Sequence, residues 1–141
     1  MPILNYTTKI DSSKTVSEIQ QILGRKGASR VSVDYTNGKA TAVTFELNLE
    51  GMPINFRLPC NIEGVSLSLK REKKMVAARD RNQCERIAWR IVKDWVAAQM
   101  ALVEAGQAEV SEVFMPYAIH SSGVTLFQAM KNRQLALSSG E

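Results

Sequence analysis

Residues 79–105, RDRNQCERIAWRIVKDWVAAQMALVEA, decide the reading of this chain. Cys84, Ala88, Ile91, Trp95, Ala98 and Leu102 recur at alternating spacings of four and three, which puts them in one apolar stripe of a helix spanning about Arg79 to Ala105. Arg79, Asn82, Arg86, Arg90 and Lys93 recur at threes and fours on roughly the opposite side. A helix stays soluble with a few charges of mixed sign. A nearly all-cationic row, rich in arginine, suits phosphate, because a guanidinium binds two phosphate oxygens in parallel and stays charged at any working pH. The same row also reads as an ordinary solvated face, with Asp80, Glu85 and Asp94 close enough in sequence to neutralise part of it.

Around that helix the composition is that of a globular protein. The 141 residues make one domain of common size, with 45% hydrophobic and 23% charged residues. Eighteen basic and 14 acidic residues leave a formal charge of only +4, too mild for non-specific duplex binding, which neutralises many phosphates at once. Cys60 and Cys84, with His120 the single histidine, make no zinc-ligand spacing, so no metal or cofactor is expected and the cysteines read as buried free thiols. That thiol state fits a reducing compartment. There is no signal-peptide pattern and no apolar run near the ~20 residues of a bilayer span, so a cytoplasmic protein is expected.

Ahead of the long helix, Met1 to Ser13 reads as an extended lead. Thr15-Val-Ser-Glu18 then reads as a capping box opening a short helix, with Val16, Ile19, Ile22 and Leu23 on its buried side and Gly24 as its C-cap. Ala28 to Tyr35 alternates as a strand, and Asn37-Gly38 is a strong hairpin signal. Lys39 to Leu49 alternates again with Val43, Phe45, Leu47 and Leu49 on one face, Glu50-Gly51 turns the chain, and Pro53 to Cys60 returns with Ile54, Phe56 and Leu58 in phase. The fold class is therefore α+β: an antiparallel β-meander packed with a short N-terminal helix and one long amphipathic helix. Val65, Leu67 and Leu69 alternate as one further strand, and Lys70-Arg71-Glu72-Lys73-Lys74 reads as a mobile solvated loop. Beyond Gly106, Val110, Val113 and Phe114 keep helical spacing up to Met115-Pro116. Residues 1–117 form the domain and 118–141 an extension, with Val124, Phe127, Met130 and Leu135 at the spacing of a short helix and a frayed end from Leu137.

Little points to catalysis. Gly24-Arg25-Lys26-Gly27 lacks the spacing of a phosphate loop, no nucleophile elbow occurs, and His120 has no nucleophile signature nearby. Glu46 and Glu50 are explained by solvation on exposed strand positions. In Phe56-Arg57-Leu58-Pro59 the first two side chains face opposite sides of the sheet. Phe56 is a core residue by default; near a strand end it could instead meet a base while Arg57 meets phosphate.

Four segments carry a resemblance: Asn5-Tyr6-Thr7-Thr8-Lys9-Ile10 with Thr15-Val16-Ser17-Glu18-Ile19, the Phe56-Arg57-Leu58-Pro59 strand, Arg86 through Trp89-Arg90 and Lys93 to Trp95, and Glu112 to Tyr117. In this order, from about Leu4 to Tyr117, they resemble the first Thoeris anti-defence family, small phage sponge proteins. The resemblance implies a non-catalytic protein of the infected bacterial cytoplasm that sequesters glycocyclic ADP-ribose, the signal made by TIR-domain enzymes. It further implies that cyclic di- or trinucleotides bind some members at a separate site, in a homo-oligomer that is a dimer or a hexamer of dimers. The family's paired arginines fall on Arg86 and Arg90, its ligand-packing aromatic on Phe56, its loop asparagine on Asn82, and the border of a second site on Gly24, Arg25 and Lys26. Arg57 accompanies Phe56 as a phosphate ligand. A shallow helix–sheet surface needs a second copy to wall in a ligand, which also predicts at least a dimer. The rival reading is a nucleic-acid-binding phage accessory protein using the same basic face, and a third is a partner-binding protein whose arginine row meets an acidic surface.

Overall fold

A computed structural model describes residues 3–132. The molecule is α+β, as the hydrophobic patterning predicts. Three strands, β1 (Arg30–Thr36), β2 (Lys39–Leu49) and β3 (Met52–Pro59), form an antiparallel meander in the order β1-β2-β3. Both turns have positive φ at their two central residues: Asn37 52° and Gly38 77°, Glu50 53° and Gly51 86°. That geometry matches the right-handed twist of the flanking strands. Val33 lies opposite Val43, and Phe45 opposite Phe56, so the alternating apolar residues share one face. The register shifts between Asp34 and Tyr35, whose partners Ala42 and Ala40 leave Thr41 as the extra residue of a bulge in β2.

Helix α1 (Ser12–Arg25) begins earlier than the capping-box reading placed it. Asp11 is the cap, its carboxylate accepting the Ser13 amide at 3.0 Å. Thr15 is therefore fully buried inside the first turn, its hydroxyl donating to the Asp11 carbonyl at 3.4 Å, and Glu18 is free to reach another helix. Gly24 is likewise helical; the C-terminal turn is closed by Gly27 at φ 105°, with Ala28 N–H donating to the Leu23 carbonyl at 3.1 Å. This is a Schellman cap.

Val65, Leu67 and Leu69 do not form a strand. They belong to α2 (Ile62–Arg71), capped by Asn61, whose side chain accepts the Gly64 amide at 2.8 Å. Ile62, Val65, Ser66 and Leu69 are buried and Leu67 is exposed, a helical spacing that overrides the apparent alternation. The charged run that follows is tied down rather than a loose loop. Lys70 and Arg71 end α2, and the Glu72 carboxylate accepts the Ile3 amide at 3.1 and 3.2 Å. A short helix α3 (Met75–Arg79) leads to the 24-residue α4 (Arg81–Glu104), capped by Asp80.

The buried side of α4 is rotated from the expected stripe. Cys84 and Ala88 are buried, but Ala98 and Leu102 are exposed, while Trp89, Val96 and Met100 are enclosed. The helix crosses the sheet only with its later turns, so two cores share it. Val16, Ile19 and Leu23 of α1, the inner face of the sheet, and Trp89, Val96, Met100 and Phe114 form the larger. Ile62, Val65 and Leu69 with Ala78, Cys84, Ile87 and Ala88 form the smaller, and Cys60 packs against both. Gly106, φ 73°, closes α4; α5 (Val110–Phe114), a 3-10 turn (Met115–Tyr117) and α6 (Leu126–Lys131) follow. Ala118 bridges the free edge of β3 at Phe56, and Ile119 N–H donates to the Asn55 carbonyl at 2.8 Å. In α6, Ala129 is buried and Phe127 is exposed; Leu135 and Leu137 lie outside the described residues. Among the described residues no helix is long and apolar enough to cross a membrane.

Candidate phosphate-binding site

The cationic row of the sequence exists, but its later members, Arg90 and Lys93, face α1 rather than open solvent. Arg90 donates to the Glu18 carboxylate at 3.1 Å, and Lys93 approaches the same oxygen at 4.0 Å. The Arg90 side chain keeps only 14% of its surface. Arg86, half-buried, gives its Nε and a terminal nitrogen to Gln83 Oε1, at 2.9 and 2.7 Å. Arg79 sits apart at the end of α3, and Asn82 accepts from Lys39 Nζ at 3.2 Å. The neighbours named from sequence take other work. Asp80 caps α4, Asp94 accepts from Asn5 at 2.9 Å, and buried Glu85 lies 3.6 Å from Lys39. Arg86 and Arg90 thus project from successive turns as two oriented forks, ~6 Å apart at their bases, with Glu18 the carboxylate on Arg90.

The other assigned residues do not converge on that pair. Phe56 is completely enclosed, stacked on Phe45 with centroids 5.2 Å apart, and shows no face to a ligand. This corrects its assignment as a ligand-packing aromatic: the strand-end exposure that role needs is removed by Ala118 and by Phe114 packed edge-on to Phe45. Arg57 points to the opposite side of the sheet, where it donates to the Gly123 carbonyl at 3.3 Å. Of the second-site residues, Gly24 and Arg25 are exposed in the last turn of α1, and Lys26 is paired with Glu104 of α4.

Burial pushes the Cys60 thiol up to about 12 and raises Cys84 as well, so neither is a ready nucleophile near neutral pH. His120 is held locally, its Nδ1 2.9 Å from the Ser122 hydroxyl. Among the described residues no group of three or more His, Cys, Asp and Glu could hold a metal ion.

The residue that sequence reasoning missed is Gln83. Its Nε2 donates to the carbonyls of Tyr6 at 3.1 Å and Thr8 at 2.9 Å, while its Oε1 receives Arg86. Carbonyls only accept and guanidinium only donates, so the amide has one consistent orientation. It fastens the N-terminal strap, residues 3–10, to the arginine row. Nothing in local sequence signals this, because the partners are 77 and 75 positions apart. Comparison with known proteins gives no match to a protein family, to a curated protein or to a solved structure.

Proposed function

We propose that the protein is a phage-encoded anti-defence sponge that binds cyclic nucleotide immune signals of the glycocyclic ADP-ribose type and holds them without cleavage, blocking Thoeris-type immunity. The observation that carries this reading is the Arg86–Arg90 pair: two guanidinium forks one helical turn apart, each oriented by a neighbouring side chain, in a row with Lys93. A pyrophosphate spans two such forks and stays charged at every pH at which they do. Glu18 is a competitor that a doubly charged ligand displaces, and Gln83 is a neutral support that leaves the Arg86 charge unspent. In this reading a second copy of the chain supplies the opposite wall, so the working form is at least a dimer.

The ion pair to Glu18 supports a second reading, in which the row is a structural seam between α1 and α4. Calorimetric titration with glycocyclic ADP-ribose separates the two. Tight binding, release of intact ligand on heating, and loss of binding in folded Arg86→Ala and Arg90→Ala variants are expected for the sponge. Unchanged capture in both variants would leave the row as a seam only. Binding of oligonucleotides with a steep salt dependence would instead favour a nucleic-acid-binding protein.

A further inference from the structure

Arg90 and Lys93 of the α4 row meet a carboxylate, whereas Lys9 and Lys73, near the first turn of the same helix, do not among the described residues. The strap and the turn joining α2 to α3 flank an open cleft of about 580 Å³. That is within the range of small-molecule sites. Lys9, Lys73 and Lys74 line it with Tyr6, Met75 and Val76. Lys74 lies 3.7 Å from Glu72 and 4.8 Å over the Tyr6 ring. Lys9 and Lys73 have no acidic partner among the described residues. The one carboxylate in the lining, Asp80, accepts the Gln83 amide at 3.1 Å.

Lys73 is also conformationally unusual. Its φ is 62°, and it closes α2 as Gly27 closes α1 and Gly106 closes α4: Lys73 N–H donates to the Lys70 carbonyl at 3.0 Å and Lys74 N–H to the Leu69 carbonyl at 2.9 Å. Glycine occupies this position at no steric cost, and a lysine there is strained. The cap fixes Lys73 in the lining of the cleft. The apolar wall agrees. Val76 is 88% exposed and Met75 40%, beside a half-buried Tyr6 ring that lines the cleft, whereas Phe56 is enclosed.

We propose that this cleft binds the ring-and-phosphate part of an organic phosphate of the nucleotide class, with Tyr6 as the stacking platform and Lys9 and Lys73 as the phosphate ligands. The identity of the full ligand rests on the function proposed above; the cleft's chemistry stands on its own residues. Gln83 joins the two regions, since the amide that holds the Tyr6 and Thr8 carbonyls also holds Arg86. A ligand seated on Tyr6 therefore meets Arg86 across one side chain.

The test is calorimetric titration of the full chain with ADP, pyrophosphate and glycocyclic ADP-ribose, for the natural sequence, Tyr6→Ala, Lys73→Gly and Arg86→Ala. Lys73→Gly is informative because it relaxes the cap and removes the cation together. The expected result is a melting temperature that holds or rises while ADP affinity falls about tenfold, as for one lost charge-assisted contact. Tyr6→Ala is expected to weaken ADP about 5- to 100-fold, the scale of one lost stacking contact, and pyrophosphate hardly at all. Capture of glycocyclic ADP-ribose with unchanged affinity in Tyr6→Ala and Lys73→Gly overturns the cleft and leaves the sponge standing. ADP binding sensitive to both substitutions, without capture of the cyclic nucleotide, keeps the cleft and removes the sponge. Pyrophosphate binding as tight as ADP overturns the stacking role. No binding of any of the three overturns both proposals.

Discussion

The two regions that share α4 use positive charge differently. Over the sheet, Arg90 and Lys93 meet Glu18 of α1, the aromatic candidate Phe56 is sealed in the larger core, and Lys26 is paired across the same helices with Glu104. At the α2–α3 corner, Lys9 and Lys73 are unpaired among the described residues, and Tyr6 is half-buried against a shallow second core. In the first region Arg90, Lys93 and Lys26 meet carboxylates and only Arg86 is held by a neutral partner; in the second, Lys9 and Lys73 meet no carboxylate among the described residues. A basic row in a sequence therefore does not tell binding from architecture. The difference lies in whether the fold brings a carboxylate to meet it.

The strongest way to break this contrast is to truncate one aromatic from each region. Phe56→Ala is expected to lose about 3–5 kcal/mol of stability in urea denaturation, and Tyr6→Ala no more than about 1. Equal losses would mean that the corner is as structural as the sheet. The next contrast is between charges. Glu18→Ala strands a partly buried Arg90 and is expected to cost about 1–2 kcal/mol, with a double-mutant cycle to Arg90→Ala recovering most of it, while Lys73→Ala stays within about 0.5. A neutral Glu18→Ala would free the row for ligand. Gln83→Ala tests the link between regions; it should cost about 1 kcal/mol and speed amide exchange in the strap while leaving exchange in β2 unchanged.

The last effect, seen only as pH rises, concerns Cys60, which touches both cores. Its folded pKa of about 12 lies above the 9.0 of a free thiol because burial opposes the thiolate. Below pH 9 the thiol is protonated in folded and unfolded chains alike. Above it the unfolded chain releases the proton first, so stability falls with rising pH until the folded thiol also titrates. Denaturation at pH 8 and pH 10 should differ by about 1 kcal/mol on this account, and Cys60→Ala should remove that part of the slope.

Legibility in the sequence followed the range of the interactions. The meander could be read because each turn is decided by two adjacent residues, Asn37-Gly38 and Glu50-Gly51, and each face by strict alternation. Helix α2 was misread because Val65, Leu67 and Leu69 also alternate; Ile62 and Ser66, which complete the helical face, carry the deciding information. The α4 stripe was rotated because Ala98 and Leu102 fit the spacing but face outward, whereas Trp89, Val96 and Met100 face the core shared with α1 and the sheet. Arg86 and Arg90 could be picked out as a pair, but their partners could not all be seen: Arg90 meets Glu18 from 72 positions away. The cleft at Tyr6 had no local signature either, since a strap, a helix cap and an amide from three parts of the chain assemble it.

The bulge at Thr41, opposite Asp34 and Tyr35, has a bearing on how copies of this chain can meet. β1 is an outer strand, and a flat outer strand is a template on which another chain can extend the sheet. The extra residue, Thr41, lies in β2 and raises the local twist, which the paired β1 follows, so its outer edge is not flat there. Self-association through continuous sheet growth is thereby discouraged along this rim, and any stable assembly is steered toward helical or loop surfaces.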